Sequence, residues 1–74
     1  MQVKVKLFAT LREGREKEQF MDFPDVATPS DILENLNIPA ADVAILFING
    51  RDSALDKQLN EGDTVSIFPP VGGG

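Results

Sequence analysis

The residues whose types and order could support chemistry stand together in one stretch, Phe68–Pro69–Pro70–Val71–Gly72–Gly73–Gly74. Pro69 and Pro70 have fixed φ and no amide hydrogen, so they end strand pairing and send the chain out extended. The three glycines carry no Cβ. Their backbone can be threaded through a narrow slot and approached closely by another protein. A frayed terminus is the bland reading of one terminal glycine. Two prolines, a valine and a glycine run ending on a free carboxylate favour an end that is presented to a partner.

Little else in the sequence is chemically equipped. There is no cysteine, hence no disulfide framework, thiolate zinc site or thiol nucleophile. Histidine, the usual near-neutral acid–base group and metal ligand, is absent, as are Tyr and Trp. The expectation is a protein that is not itself an enzyme, holds no metal and binds no cofactor. Twelve acidic against seven basic residues give a net charge of −5, the wrong sign for a phosphate backbone, so nucleic acid is not an expected partner. An acidic domain docks most naturally on a basic protein surface. Asp52, Asp56, Glu61 and Asp63 miss the spacing of a calcium loop and read as turn formers and solvated charge. Lys4, Lys6, Lys17 and Lys57 read as surface residues. No Walker or dinucleotide motif is present, so any ATP chemistry belongs to a partner.

The elements that must position the tail follow from punctuation and periodicity. With 74 residues, 42% apolar and 26% charged, the chain has room for one small domain. Val3, Val5, Leu7 and Ala9 alternate with Lys4, Lys6, Phe8 and Thr10, which predicts a strand with one face in the core. Arg12 to Lys17 reads as a loop, and Gln19–Phe23 as a second strand closed by Pro24. Thr28, Pro29 and Asp31 mark a helix start with a capping-box pattern. Ile32, Leu33 and Leu36 share one helical face, and Pro39 ends the run. Val43–Ile48 reads as a buried strand, Asn49–Gly50 as a primed turn, and Arg51–Leu55 as at best a short edge strand. A turn at Asn60–Asp63 leads into the last strand, Thr64–Phe68. The order is ββαβ(β)β, an α+β pattern with one main helix on one face of a mixed, four- to five-stranded sheet. The other face is left open to solvent or to a partner. The longest apolar run is far short of the roughly 20 residues a bilayer needs. Met1–Gln2–Val3–Lys4 alternates at once, without a signal-peptide apolar region, so a cytoplasmic protein that does not engage membranes is expected.

The whole chain resembles the ubiquitin-like sulfur carriers of the MoaD/ThiS type, and most nearly the small subunits of molybdopterin synthase. The resemblance rests on Phe68–Pro69–Pro70–Val71 followed by Gly73–Gly74, after the turn Gly62–Asp63. It rests also on Leu7–Phe8–Ala9–Thr10–Leu11–Arg12–Glu13. The double proline favours the molybdopterin branch over the thiamine branch; Gly72 departs from the branch, whose members often have Thr there. The resemblance implies a β-grasp domain over residues 1–74 with a flexible tail over 69–74. It further implies that an E1-like, ATP-dependent enzyme adenylates the carboxylate of Gly74, beside Gly73. A sulfur donor protein then converts it to a thiocarboxylate, which serves molybdopterin synthesis with the large synthase subunit. A free α-carboxylate, with a pKa of roughly 3.3–3.7, is ionised and a poor electrophile. The mixed anhydride creates a leaving group, and the sulfur becomes a nucleophile that a chain without cysteine cannot otherwise offer.

On the open sheet face Phe8 and Phe68 point away from the core. If their strands are neighbours, as the resemblance implies, the rings form an exposed aromatic patch at the base of the tail. Phe8, Arg12, Phe68, Pro69, Pro70, Val71 and Gly72 are then the expected partner-binding residues. Truncating Phe68 to alanine is expected to cost ~2 kcal/mol or more of partner affinity with little change in stability. Three alternatives remain open: a sulfur carrier for thiamine or another pathway, a modifier joined to lysines through Gly74, and a β-grasp interaction module that is never activated.

Overall fold

The computed structural model describes residues 1–70. Among them are five strands, β1 (Gln2–Leu7), β2 (Glu18–Asp22), β3 (Ile45–Ile48), β4 (Arg51–Asp52) and β5 (Thr64–Phe68), and one α-helix, α1 (Pro29–Leu36). The sheet runs β2-β1-β5-β3-β4. β1 and β5 form the central parallel pair, with Val5 beside Val65 and Leu7 beside Ile67. β2 pairs antiparallel with β1, and β3 antiparallel with both β5 and β4. Two parallel strands at the centre, hairpins outside them and a helix across one face make the expected β-grasp architecture.

The side-chain period of two decides which residues reach the core. Val3, Val5, Leu7, Val65 and Ile67 are sealed on the inner face, joined by Leu46 and Ile48. Ile32 and Leu33 of α1 close over them, and Leu11, Phe23, Ala27, Ile38 and Leu59 complete the core. The helix starts where the cap pattern predicts: the Asp31 carboxylate accepts the Thr28 amide at 2.8 Å. It stops at Asn37, whose left-handed conformation (φ 57°) lets the Ile38 amide reach the Leu33 carbonyl at 2.9 Å. Asn49 and Gly50 both have positive φ, 53° and 82°, as a primed turn requires.

Two sequence expectations are corrected. The first strand does not run on to Ala9 and Thr10. It ends at Leu7, Ala9 takes a left-handed conformation (φ 52°) at the surface, and Ala9–Arg12 forms a 3-10 turn that buries Leu11 instead. Alternation alone cannot see this, because the turn restores an apolar residue to the core by a different period. The run Val43–Ile48 is also not buried throughout. Regular pairing begins at Ile45, which is exposed; Leu46 and Ile48 face the core and Val43 is partly buried against it, since no layer covers the outer side of β3 among the described residues.

Candidate functional site

β5 is a central strand, and its last two residues are held, one from each side. The Phe8 amide donates to the Ile67 carbonyl at 3.2 Å on the β1 side, and the Ala44 amide to the Phe68 carbonyl at 2.8 Å on the β3 side. Pro69 and Pro70 follow. Without amide hydrogens they cannot extend either ladder, so the chain must leave the sheet at this point. They pass a shallow depression lined by Thr10, Leu11, Glu13, Arg15 and Asp42. Val71, Gly72, Gly73 and Gly74, the tail that the sequence singles out, lie outside the described residues.

At the base of this exit the outer face of the sheet carries an aromatic cluster. The Phe8 and Phe68 rings stack with centroids 4.2 Å apart and planes 11° from parallel. Phe47 meets Phe68 edge to face at 5.6 Å. Arg12 lies over Phe8, its guanidinium carbon 5.3 Å from the centroid, and its Nε donates to the Leu7 carbonyl at 2.8 Å. That backbone bond fixes the cation where it supports the stack. Phe8, Arg12 and Phe68 therefore meet on one face, and Pro69 and Pro70 follow Phe68 directly along the chain. The rings, however, are half-buried against one another rather than freely exposed, so they hold the sheet as well as presenting a surface.

Three residues join this face without having been singled out by sequence, Phe47 of the cluster and two more. Ile45, 40% exposed, stands opposite Phe68 in the β3–β5 register and extends the apolar patch. Phe20, 64% exposed, sits on edge strand β2 opposite Lys4, whose ammonium lies 6.0 Å from its centroid. The signal was present in the period of two, since Glu18, Phe20 and Asp22 must share the face that Phe8 shares, but the strand order was needed to read it. Lys4 also pairs with Glu18 at 3.1 Å, and this hydrogen bond and charge hold the Glu18 carboxyl below its usual pKa. The centre of the face offers Lys4, Lys6, Thr64 and Ser66, and acids sit on its outer strands. The net charge of −5 is therefore not expressed here, and a docking argument from net charge does not transfer to this surface.

Two polar residues outside the face prove structural. Arg15 donates to the carbonyls of Leu36 at 3.2 Å, Asn37 at 3.3 Å and Leu11 at 3.3 Å, tying the 3-10 turn to the end of α1. Asp63, 9% exposed, accepts from Asn49 Nδ2 and from the Asn60 amide, each at 2.8 Å, and acts as the turn former its position suggests.

Comparison with known proteins agrees with this fold. The pattern of the ThiS family matches residues 5–74. Small archaeal modifier protein 3 of Haloferax volcanii is 32% identical over the full length of both chains. The crystal structure of SAMP1 from the same organism superposes with a TM-score of 0.78 at 28% identity, covering 100% of each chain. A chain in the complex of subunits 1 and 2 of molybdopterin-converting factor from Helicobacter pylori aligns with a TM-score of 0.66 at 27% identity, again over 100% of each.

Proposed function

The chain belongs to the ThiS family of ubiquitin-like carriers and modifiers, and from that premise we propose that Gly74 is activated and loaded with sulfur for molybdopterin synthesis. An E1-like enzyme adenylates the carboxylate of Gly74 using its own ATP. A sulfur donor protein converts the adenylate to a thiocarboxylate, and the loaded tail enters the large subunit of a molybdopterin synthase. This chain contributes the reacting atom and a shape that partners grip; the catalytic groups belong to the partners.

One observation carries the reading. The Phe8–Phe68 stack, with Arg12 above it, stands immediately before a tail that two prolines force off the sheet. A partner that grips the stack holds the start of the tail at a fixed point, so residues 71–74 need only span the distance into its active site. Aromatic and Arg anchors commonly dominate such interfaces. The similarity to subunits of a molybdopterin-converting factor supports the choice of pathway.

Intact mass spectrometry after incubation with the activating enzyme, ATP and a sulfur donor tests the proposal. The expected result is a shift equal to exchanging one oxygen for sulfur, abolished by deleting Gly74. An unchanged mass with an enzyme active on another carrier would remove the reading and leave the interaction module. A second reading has its own support, the full-length similarity to small archaeal modifier protein 3. In that case Gly74 is joined to lysines of other proteins, and adducts rather than the sulfur exchange appear.

A further inference from the structure

The turn Asn49–Gly50 holds chemistry that the proposed function does not use. In an Asn–Gly pair the glycine nitrogen can attack the side-chain carbonyl carbon of the asparagine, because no glycine side chain hinders the approach. A bond forms between the Gly50 nitrogen and Asn49 Cγ, the bond to the side-chain nitrogen breaks, and ammonia leaves. Water then opens the succinimide to aspartate or isoaspartate. No catalyst, oxidant or metal is required. Asn35, Asn37 and Asn60 precede Leu36, Ile38 and Glu61, whose side chains crowd the same attack. Asn49 and Gly50 are exposed, and nothing lies within 4 Å of where a Cβ on Gly50 would stand, so water has access.

What opposes the reaction is tertiary. Asn49 Nδ2 donates to Asp63 Oδ1 at 2.8 Å, and Asn49 Oδ1 accepts the Thr64 amide at 2.9 Å. Both ends of the side-chain amide are thus anchored to residues fourteen and fifteen positions away. Asp63 is itself fixed by the Asn60 amide. Closing the ring requires Cγ to swing onto the Gly50 nitrogen, which breaks both anchors.

We propose that Asn49 is a spontaneous modification site gated by the fold: protected while Asp63 and Thr64 clamp its amide, and converted when this end of the β3–β5 pairing opens. The product reinforces the opening. A carboxylate at position 49 faces the Asp63 carboxylate where a donor stood, and like charges at that distance repel. An isoaspartate adds a backbone atom to a two-residue turn. Conversion is therefore a one-way record of time spent open.

The test incubates the full chain at neutral pH, folded and in urea, and maps the peptide containing Asn49–Gly50 for conversion of amide to acid and for isoaspartate. In urea, conversion at Asn49 should run ahead of Asn35, Asn37 and Asn60. In the folded chain it should be at least about tenfold slower, because two hydrogen bonds must break before the ring closes. Asp63→Ala, shown to be folded by circular dichroism, should speed conversion several-fold under native conditions. Equal rates in the folded and unfolded wild-type chain overturn the gating, and this comparison stands whether or not the variant folds. Absence of conversion in urea overturns the site itself. A folded variant converting at the wild-type rate overturns the clamp.

Discussion

At the scale of single residues, the aromatic stack changes what truncation of Phe68 should do. A freely exposed ring would affect only binding. Phe68 instead packs face to face on Phe8 and edge to face on Phe47, so Phe68→Ala should lower folding stability by about 1 kcal/mol or more as well as partner affinity by ~2 kcal/mol. Urea denaturation and titration with the activating enzyme measure the two separately. A double-mutant cycle with Phe8→Ala should return a coupling of about 0.5–1.5 kcal/mol for the stacked pair; strict additivity would mean the rings do not cooperate. A second residue-scale effect concerns acid. Folding lowers the pKa of Glu18, first through the Lys4 hydrogen bond and then through its charge. The pair therefore contributes stability that is complete above the usual value of 4.5 and is lost as pH falls through the lower folded value. Glu18 is exposed, so the effect is small and salt-sensitive. Lys4→Ala should flatten that part of the stability–pH curve, as denaturation midpoints on either side of the transition would register.

At the scale of elements, the tail's point of departure depends on joints that are polar rather than apolar. Arg15 bridges the 3-10 turn after β1 to the last carbonyls of α1, where a cation also complements the helix dipole. Arg15→Ala should cost about 1 kcal/mol in urea denaturation while leaving far-UV circular dichroism unchanged. Asp63 joins the β3–β4 turn to the start of β5, and Asp63→Ala strands two donors, the Asn49 amide and the Asn60 amide hydrogen. Its expected cost is about 1–2 kcal/mol, because two hydrogen bonds are lost at once while water can reach the donors left behind. Ala9 stands at the junction between β1 and the 3-10 turn in a left-handed conformation that disfavours a Cβ. Gly there relieves that strain but frees the unfolded chain, so Ala9→Gly should be close to neutral in the same assay.

At the scale of the molecule, a domain this small has little stability to lose. Ile32→Ala, which empties a sealed position between α1 and the sheet, should cost about 2–5 kcal/mol. That is enough to leave a large fraction of chains unfolded. A partner that binds only the folded state should restore the transition by mass action, so thermal melts of this variant with and without the activating enzyme provide a second, independent measure of binding. A partner that leaves the melt unmoved does not recognise the folded sheet.

Much of the architecture was legible in order because it rests on local rules. The prolines at 29 and 39, the Thr28 and Asp31 cap and the Asn49–Gly50 turn each act through their own backbone, and alternation along β1 and β5 marks which side chains meet the core. The identity of the tail is legible for the same reason, since two residues without amide hydrogens must end a ladder wherever they occur. Only the tertiary structure decided the rest. That β1 and β5 lie side by side, bringing Phe8 onto Phe68, is a pairing between residues sixty positions apart, and no local propensity encodes it. The roles of Arg15 and Asp63 depend on carbonyl and amide groups supplied by distant segments. Charge was legible as a sum but not as a distribution: the acids and bases become a surface only when the strands take their order.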